Sequence, residues 1–332
     1  MTATIPQRSQ ALQDNDRGVL LSMDGDWSAA RSAFERALEH DPECVSALNN
    51  LGFALAREGH YPEAEKLYQE ALERDHERTM TWINLAVARA AAGDWTGARG
   101  HLVRAVELEP TNVLALENLA RVEVALGDFA SAERAWRRAL TAVPRRADLL
   151  VHLADAVAAQ GRTREAAQFL RSALEQDPTA QRAWARLGLV LLLLRDLGTA
   201  GDALRRALAL DPSDLDALHH LALNQLALGD ASGAARSLEE LLARDPAREG
   251  ARLDLAVLDL ARARPEAARA GLARVLEGAP RNPRARYTMA FALRTSGEEA
   301  AARALLDELV AEGGEYARRA AEGRVGAVEV RP

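Results

Sequence analysis

Residues 81–110 read TWINLAVARAAAGDWTGARGHLVRAVELEP, with two amphipathic segments on either side of a glycine. In the first segment, apolar residues recur at the spacing of one face of a helix. Gly93 can end that helix, and the side chain of Asp94 can accept a backbone hydrogen bond at the start of the next one. The second segment ends before Pro110, which cannot continue a helix. The stretch therefore predicts two helices joined by a tight turn.

The same pattern recurs with a period of 34 residues. A proline recurs every 34 residues at Pro110, Pro144, Pro178, Pro212, Pro246 and Pro280, and Pro42 lies on the same grid. Another column holds only Gly or Ala, from Gly18 to Ala290. We expect the small residues where paired helices approach closely, since a larger side chain would overpack the contact. Nine repeats without an insertion therefore cover residues 11–316. A further column is alanine in every repeat, at Ala30, Ala64, Ala98, Ala132, Ala166, Ala200, Ala234, Ala268 and Ala302.

These repeats resemble tetratricopeptide repeats, and the resemblance covers more than nine-tenths of the chain. It implies an all-α fold, a right-handed superhelical solenoid of antiparallel helix pairs. About 18 repeat helices and a C-terminal capping helix are expected. In this family the first helices line a concave groove, which usually binds peptides or other proteins. The third repeat carries the family signature most fully, at Trp82, Leu85, Ala86, Ala98, Leu102, Ala105 and Pro110.

Both ends depart from the repeat pattern, as the ends of a solenoid should. Asp14 and Arg17 stand where the second repeat carries Leu48 and Leu51, and the ninth repeat has Gly314 in place of proline. We expect a disordered N-terminus over residues 1–10. Residues 317–332 should contain the end of the capping helix and an extended tail.

Composition excludes several classes of function. The formal net charge is −7, and no segment is basic enough to suggest nucleic-acid binding. Cys44 is the single cysteine, so one chain can form neither a disulfide nor a thiolate metal site. The longest apolar run, residues 187–194, is far shorter than the ~20 residues that span a bilayer. With no secretory signal pattern at the start, the sequence predicts a cytoplasmic protein without membrane insertion.

No enzyme signature is present in the sequence. It contains no glycine-rich phosphate loop, no nucleophile elbow and no metal-spaced cluster of His and Cys. His219 and His220 are adjacent, but adjacent helical residues point in different directions and would not share a metal ion. The sequence therefore predicts a protein without catalysis, cofactor or metal.

An asparagine column on the first helices suggests one way to hold a partner. Asn50, Asn84 and Asn118 recur at the 34-residue spacing. The column is similar to the asparagine ladder of the O-GlcNAc transferase superhelix, which implies amide hydrogen bonds to the backbone of an extended peptide. The alternative is that each amide makes only a local hydrogen bond. Basic and imidazole side chains that could receive acidic groups of a partner follow at His152, Arg182 and Arg186, and His219 is a further groove residue.

A set of apolar residues in repeats six to eight suggests a second way. Leu189, Leu192 and Leu193 share a helical face opposite the one that carries Leu187 and Leu191. We expect an apolar wall on the groove side, partly open in the free protein. The alternative is that these side chains only fill the seams between first helices. The same offsets in the next two repeats add Leu223, Leu226, Val257 and Leu260.

The sequence thus predicts a non-catalytic scaffold that holds a segment of a partner protein in its groove. Two alternatives remain open, a self-associating structural protein and a regulatory subunit of a separate catalytic partner. A further expectation concerns Arg89 and Glu123, which occupy one column in adjacent repeats. Because a lone charge at a partly buried position is costly, we expect these two side chains to form a salt bridge.

Overall fold

The computed structural model of the chain describes residues 4–321, and over that range it contains nineteen α-helices and no strand. The all-α repeat fold predicted from the sequence is confirmed. The helices are α1 Ile5–Met23, α2 Trp27–His40, α3 Val45–Arg57, α4 Tyr61–Arg74, α5 Thr79–Ala91, α6 Trp95–Leu108, α7 Val113–Ala125, α8 Phe129–Ala142, α9 Ala147–Ala159, α10 Thr163–Gln176, α11 Gln181–Leu193, α12 Leu197–Leu210, α13 Leu215–Ala227, α14 Ala231–Arg244, α15 Glu249–Ala261, α16 Pro265–Gly278, α17 Pro283–Thr295, α18 Glu299–Glu312 and α19 Glu315–Ala321.

Each repeat is one pair of these helices. The odd-numbered helices α1 to α17 are the first helices of the nine repeats, and the even-numbered helices α2 to α18 are the second helices. The chain divides into two compact units, Met1–Phe169 and Leu170–Pro332, with the boundary inside α10. We call them the N-terminal unit and the C-terminal unit and describe each by itself.

Small residues lie where the two helices of a repeat touch. In the N-terminal unit, a Cβ atom placed on Gly18 would lie 2.4 Å from the ring of Phe34. In the C-terminal unit, a Cβ atom placed on Gly188 would lie 2.5 Å from the side chain of Leu204. Both distances are far shorter than a van der Waals contact, so the column of Gly and Ala reflects close packing, as its sequence pattern predicts.

The turn within each repeat requires a left-handed residue. Gly93 has a φ of 89°, and the Asp94 carboxylate accepts a 2.8 Å hydrogen bond from the Gly97 amide at the start of α6. In two repeats the glycine is replaced, by Arg195 with a φ of 64° and by Ala263 with a φ of 55°. A side chain in this conformation costs about 1–2 kcal/mol, so these two turns are strained.

The sequence predicts the C-terminal capping helix correctly but not the structure of the N-terminus. Helix α1 begins at Ile5, so the expectation of disorder over residues 1–10 is wrong for residues 5–10. The Thr4 amide donates to the side chain of Gln7 at 2.8 Å, which caps the helix, and Pro6 stands in its first turn. The expected capping helix is present as α19, while the expected tail lies outside the described residues.

The long apolar run of the sequence lies in α11 and at its C-terminal cap. Leu187, Val190, Leu191 and Leu192 are buried there. Over residues 4–321, no helix is long and apolar enough to cross a bilayer.

Candidate protein-binding surface

The asparagine column links neighbouring first helices. The Asn50 side-chain amide donates to Asn15 Oδ1 at 2.9 Å, and the Asn84 amide donates to Asn49 Oδ1 at 3.0 Å. Each acceptor belongs to the preceding repeat, and both acceptors are buried. The geometry therefore favours the local alternative for these two residues, because each amide bonds the first helix of the preceding repeat.

The next two members of the column also have partners within the protein. Asn118 Nδ2 donates to the carbonyl of Leu114 in its own helix at 2.9 Å. The His152 ring stacks on Trp136, with ring centres 5.1 Å apart and planes 13° from parallel. His152 therefore helps to pack α9 against α8.

A comparable link occurs in the C-terminal unit. His219 Nε2 lies 2.8 Å from Asp254 Oδ2, and Arg284 donates to Asp254 Oδ1 at 2.5 Å. Asp254 is buried, so its charge is matched by two partners from neighbouring first helices. His219 is half-buried in this cluster. Among the described residues, no group of three or more His, Cys, Asp or Glu side chains could hold a metal ion.

The expected leucine wall is mostly closed. Leu192, Leu223, Val257 and Leu260 expose only 1–8% of their surface, so the expectation of an open strip is wrong for these four residues. They fill seams between helices: Leu260, for example, packs in a cluster with Leu272 of α16 and Ala292 of α17. Leu189 and Leu226 are half-buried, and Leu193 is 50% exposed.

Arg182 and Arg186 line a small hollow in the C-terminal unit. The hollow lies between α11 and α13 and has a volume of about 180 Å³. Asp214 and Asp216 also line it; Asp216 is paired with Arg248, and Asp214 accepts a 2.6 Å hydrogen bond from Gln181. Both signs of charge are therefore present in this hollow. His220 also lines the hollow. Burial lowers the pKa of the His220 imidazole, and the neighbouring His219 lowers it further.

Sequence reasoning missed an exposed apolar row in the N-terminal unit. Val19, Phe53 and Val87 occupy the column of Leu223 and Val257, but they expose 37%, 41% and 46% of their surface. The signal was present, because these residues recur at the 34-residue spacing. We call these three residues the apolar row.

The apolar row is open because the adjacent column is small in these repeats. Ala56 and Ala90 stand where repeats six to eight carry Leu192, Leu226 and Leu260. An alanine is too short to cover the neighbouring side chain, whereas a leucine fills the seam. The size of the residue in this column therefore distinguishes repeats two and three from repeats six to eight.

A hollow of about 280 Å³ lies beside the apolar row, between α3 and α5. Phe53 and Val87 form part of its walls, and we call it the repeat 2–3 hollow. The guanidinium of Arg57 at its rim lies 4.2 Å from the centre of the Trp27 ring, which in turn is 5.9 Å from the Phe53 ring. The hollow therefore combines an apolar interior with a cation held by an aromatic ring. Its lining also includes Ala56, Tyr68, Asn84 and Ala91.

Tyr68, which lines this hollow, carries a hydroxyl group in an unusual environment. The Tyr68 side chain is fully buried, and its hydroxyl has no hydrogen-bond partner among the described residues. Burial also raises the pKa of Tyr68. A buried hydroxyl without a partner costs about 1–3 kcal/mol, so the wall of the hollow is not optimised for stability.

The expected salt bridge between Arg89 and Glu123 is not formed in the described part of the chain. Arg89 bonds instead to Asp94 at 2.8 Å and to Glu65. Glu123 is buried, and its Oε2 atom has no hydrogen-bond partner among the described residues. Burial raises the pKa of the Glu123 carboxyl, and the nearby Arg99 offsets this only in part.

Comparison with known proteins agrees with the observed fold. Tetratricopeptide repeat family models match residues 16–79, 54–113, 117–181, 170–214, 225–281 and 283–308. The chain therefore belongs to the tetratricopeptide repeat family, whose members generally mediate protein–protein interactions without catalysis of their own. A comparison with curated proteins gives no match.

Solved structures with a similar fold come from several kinds of protein. PilF of Pseudomonas aeruginosa aligns with a TM-score of 0.56 and 19% identity, over 64% of this chain and 96% of that chain. The Cut9–Hcn1 complex of the APC/C aligns with a TM-score of 0.59 and 18% identity, over 80% of this chain and 52% of that chain. YrrB, described as having an unusual peptide-binding site, aligns with a TM-score of 0.50 and 21% identity, over 56% of this chain and 96% of that chain. At these identities the likeness concerns the fold alone.

Proposed function

We propose that this protein is a non-catalytic scaffold that holds a segment of a partner protein against its first helices. The observation that carries the proposal is the apolar row, in which Val19, Phe53 and Val87 stand exposed one repeat after another. Soluble proteins seldom expose aligned apolar side chains without a partner to cover them. Family membership and the peptide-binding site of YrrB support the same function.

Polar side chains beside the row would hold the backbone of the bound segment. An amide nitrogen carries two hydrogens, so Asn84 can bond Asn49 with one and a partner carbonyl with the other. Asn50 has the same capacity. We also propose that the partner segment contacts three residues of the C-terminal unit that the sequence predicts, Arg182, Arg186 and the exposed Leu193. A cytoplasmic location stays a prediction from the sequence.

Self-association is a second candidate, because the N-terminal helix exposes apolar residues of its own. Leu12, Leu20 and Met23 of α1 are all exposed. Light scattering at several protein concentrations distinguishes the two candidates. A mass that rises with concentration for the native chain, and not for Leu20→Asp, would favour self-association over the scaffold.

Affinity capture from the native host tests the scaffold function. The variant Phe53→Asp/Val87→Asp should lose specific partners, which mass spectrometry would identify. The matched control is Val103→Asp, since Val103 is similarly exposed at 42% but lies on the second helix α6. Loss of the same partners from both variants would contradict a role for the first helices, and retention by both would contradict the proposed surface.

A further inference from the structure

We infer that the repeat 2–3 hollow receives one bulky apolar side chain of the partner segment, while a carboxylate of that segment pairs with Arg57. This inference rests on the proposed scaffold function and adds the chemistry that the partner must have. It requires a segment in which an aromatic or branched aliphatic residue stands close to Asp, Glu or a chain terminus.

The size and lining of the hollow favour a side chain over a larger ligand. Its volume of about 280 Å³ lies at the lower end of the range of roughly 300–1,000 Å³ that is typical of small-molecule sites. Phe53, Val87, Ala56 and Ala91 give it apolar walls. A single apolar side chain would remove these walls from water, which is the main source of affinity at such a site.

The repeat pattern shows that the hollow is not required by the fold. Leu192, Leu226 and Leu260 occupy the column of Ala56 in repeats six to eight, and Leu193 occupies the column of Ala91. The same architecture therefore accepts leucine at both columns. The short side chains in repeats two and three leave the hollow open, and Phe53 remains exposed at its edge.

The rim supplies a positive charge. Arg57 lies over the Trp27 ring, and no carboxylate of the described residues lies within ion-pair distance of it. The neighbouring Glu58 is already paired with Arg31 at 3.0 Å. The cation–π contact with Trp27 holds the guanidinium at the rim, and the planar fork of N–H donors of a guanidinium matches the two oxygens of a carboxylate.

Two small probes test this chemistry on the full-length chain. N-acetyl-L-phenylalanine carries both an aromatic ring and a carboxylate, and N-acetyl-L-phenylalaninamide lacks only the charge. NMR of a chain labelled at alanine and valine methyl groups should show shifts at Val87, Ala56 and Ala91, with a dissociation constant on the order of 1 mM. The carboxylate should bind about two- to fivefold more tightly than the amide, because the pair with Arg57 is partly exposed.

Three variants identify the source of each effect. Arg57→Gln should remove the difference between the two probes. Ala56→Leu should abolish binding of both, since it adds the side chain that fills this seam in later repeats. Ala91→Leu is a second variant that fills the hollow. Because Ala91 is exposed, a larger side chain there does not have to fit between packed helices. Circular dichroism should show folded protein for all three variants.

The outcomes separate this inference from the proposed function. Equal affinity for acid and amide, or binding that persists in both filling variants, would overturn the inference. The inference would also be overturned if Ala56→Leu and Ala91→Leu capture every partner while Phe53→Asp/Val87→Asp loses partners. The scaffold function would stand in that case. If Phe53→Asp/Val87→Asp also retains every partner, the proposed binding surface on the first helices is overturned as well.

Discussion

The hydrogen bond between Asn84 and Asn49 should stabilise the junction of repeats two and three. Asn49 Oδ1 accepts two hydrogen bonds from α5, from Asn84 Nδ2 at 3.0 Å and from Thr81 Oγ1 at 3.1 Å. Asn49 and Thr81 are both buried. Removing either end of this link should therefore lower the free energy of unfolding.

The two ends should differ in magnitude. Asn84→Ala removes one donor while Asn49 keeps its bond from Thr81, so the expected loss is about 1 kcal/mol. Asn49→Ala leaves the buried Thr81 hydroxyl without this acceptor and should cost about 2–3 kcal/mol. The double variant should cost less than the sum of the single losses by about 1 kcal/mol, since the two residues interact directly.

Urea unfolding followed by circular dichroism would measure these losses. Asn118→Ala is the matched control, because Asn118 occupies the same column but, among the described residues, bonds only the Leu114 carbonyl of its own helix. Equal losses for Asn84→Ala and Asn118→Ala, or a coupling near zero, would refute the link. If Asn84→Ala leaves stability unchanged but weakens partner capture, the amide acts as a clamp for the peptide backbone instead.

Three other substitutions test the packing, the turns and the buried charge. Leu192→Glu should unfold part of the C-terminal unit because Leu192 is buried, whereas Leu193→Glu should leave the melting temperature nearly unchanged; equal melting curves would contradict this. Ala263→Gly should stabilise the chain by about 0.5–1 kcal/mol in urea unfolding because it relieves a positive φ, and a loss would show that the turn is unstrained. Because burial raises the pKa of Glu123, the folded state binds this proton more tightly than the unfolded state does. Ionisation of Glu123 therefore lowers the free energy of unfolding as the pH rises above the ordinary carboxyl pKa of about 4.3. Glu123→Gln should therefore stabilise at pH 7 and have little effect near pH 4, and a gain of equal size at both values would argue against a buried carboxylate as the cause.

The helix pairs could be predicted from the sequence because close contacts restrict residue size. A Cβ atom on Gly18 would overlap the Phe34 ring, and the same restriction in every repeat produces a column that is visible without a structure. The turn residue Gly93 and the capping residue Asp94 are likewise local requirements of the backbone. Such features depend on one residue and its immediate neighbours, which the sequence displays directly.

Exposure on the first helices could not be predicted in the same way. A helical projection placed Leu223 on an open face, yet Leu223 is buried while Phe53 in the same column is exposed. The difference depends on a second column, in which Leu226 stands in one repeat and Ala56 in the other. Whether a side chain is open is therefore decided jointly by two columns and by the adjacent helix, and a single helix viewed alone does not contain that information.

The register between first helices explains why the Arg89–Glu123 expectation failed. Sequence reasoning paired residues 34 apart, because that is the repeat length. The hydrogen bonds between first helices instead join staggered positions, for example residues 30 apart in Asp254 with Arg284. Others join residues 35 apart, as in Asn49 with Asn84 and His219 with Asp254, or 32 apart, as in Asn49 with Thr81. These offsets differ by three residues, which places both donors of α5 on one face toward the same acceptor. Arg89 and Glu123 stand 34 apart, an offset that none of these bonds uses. Arg89 pairs with Glu65 and Asp94 instead, and Glu123 Oε2 has no hydrogen-bond partner among the described residues.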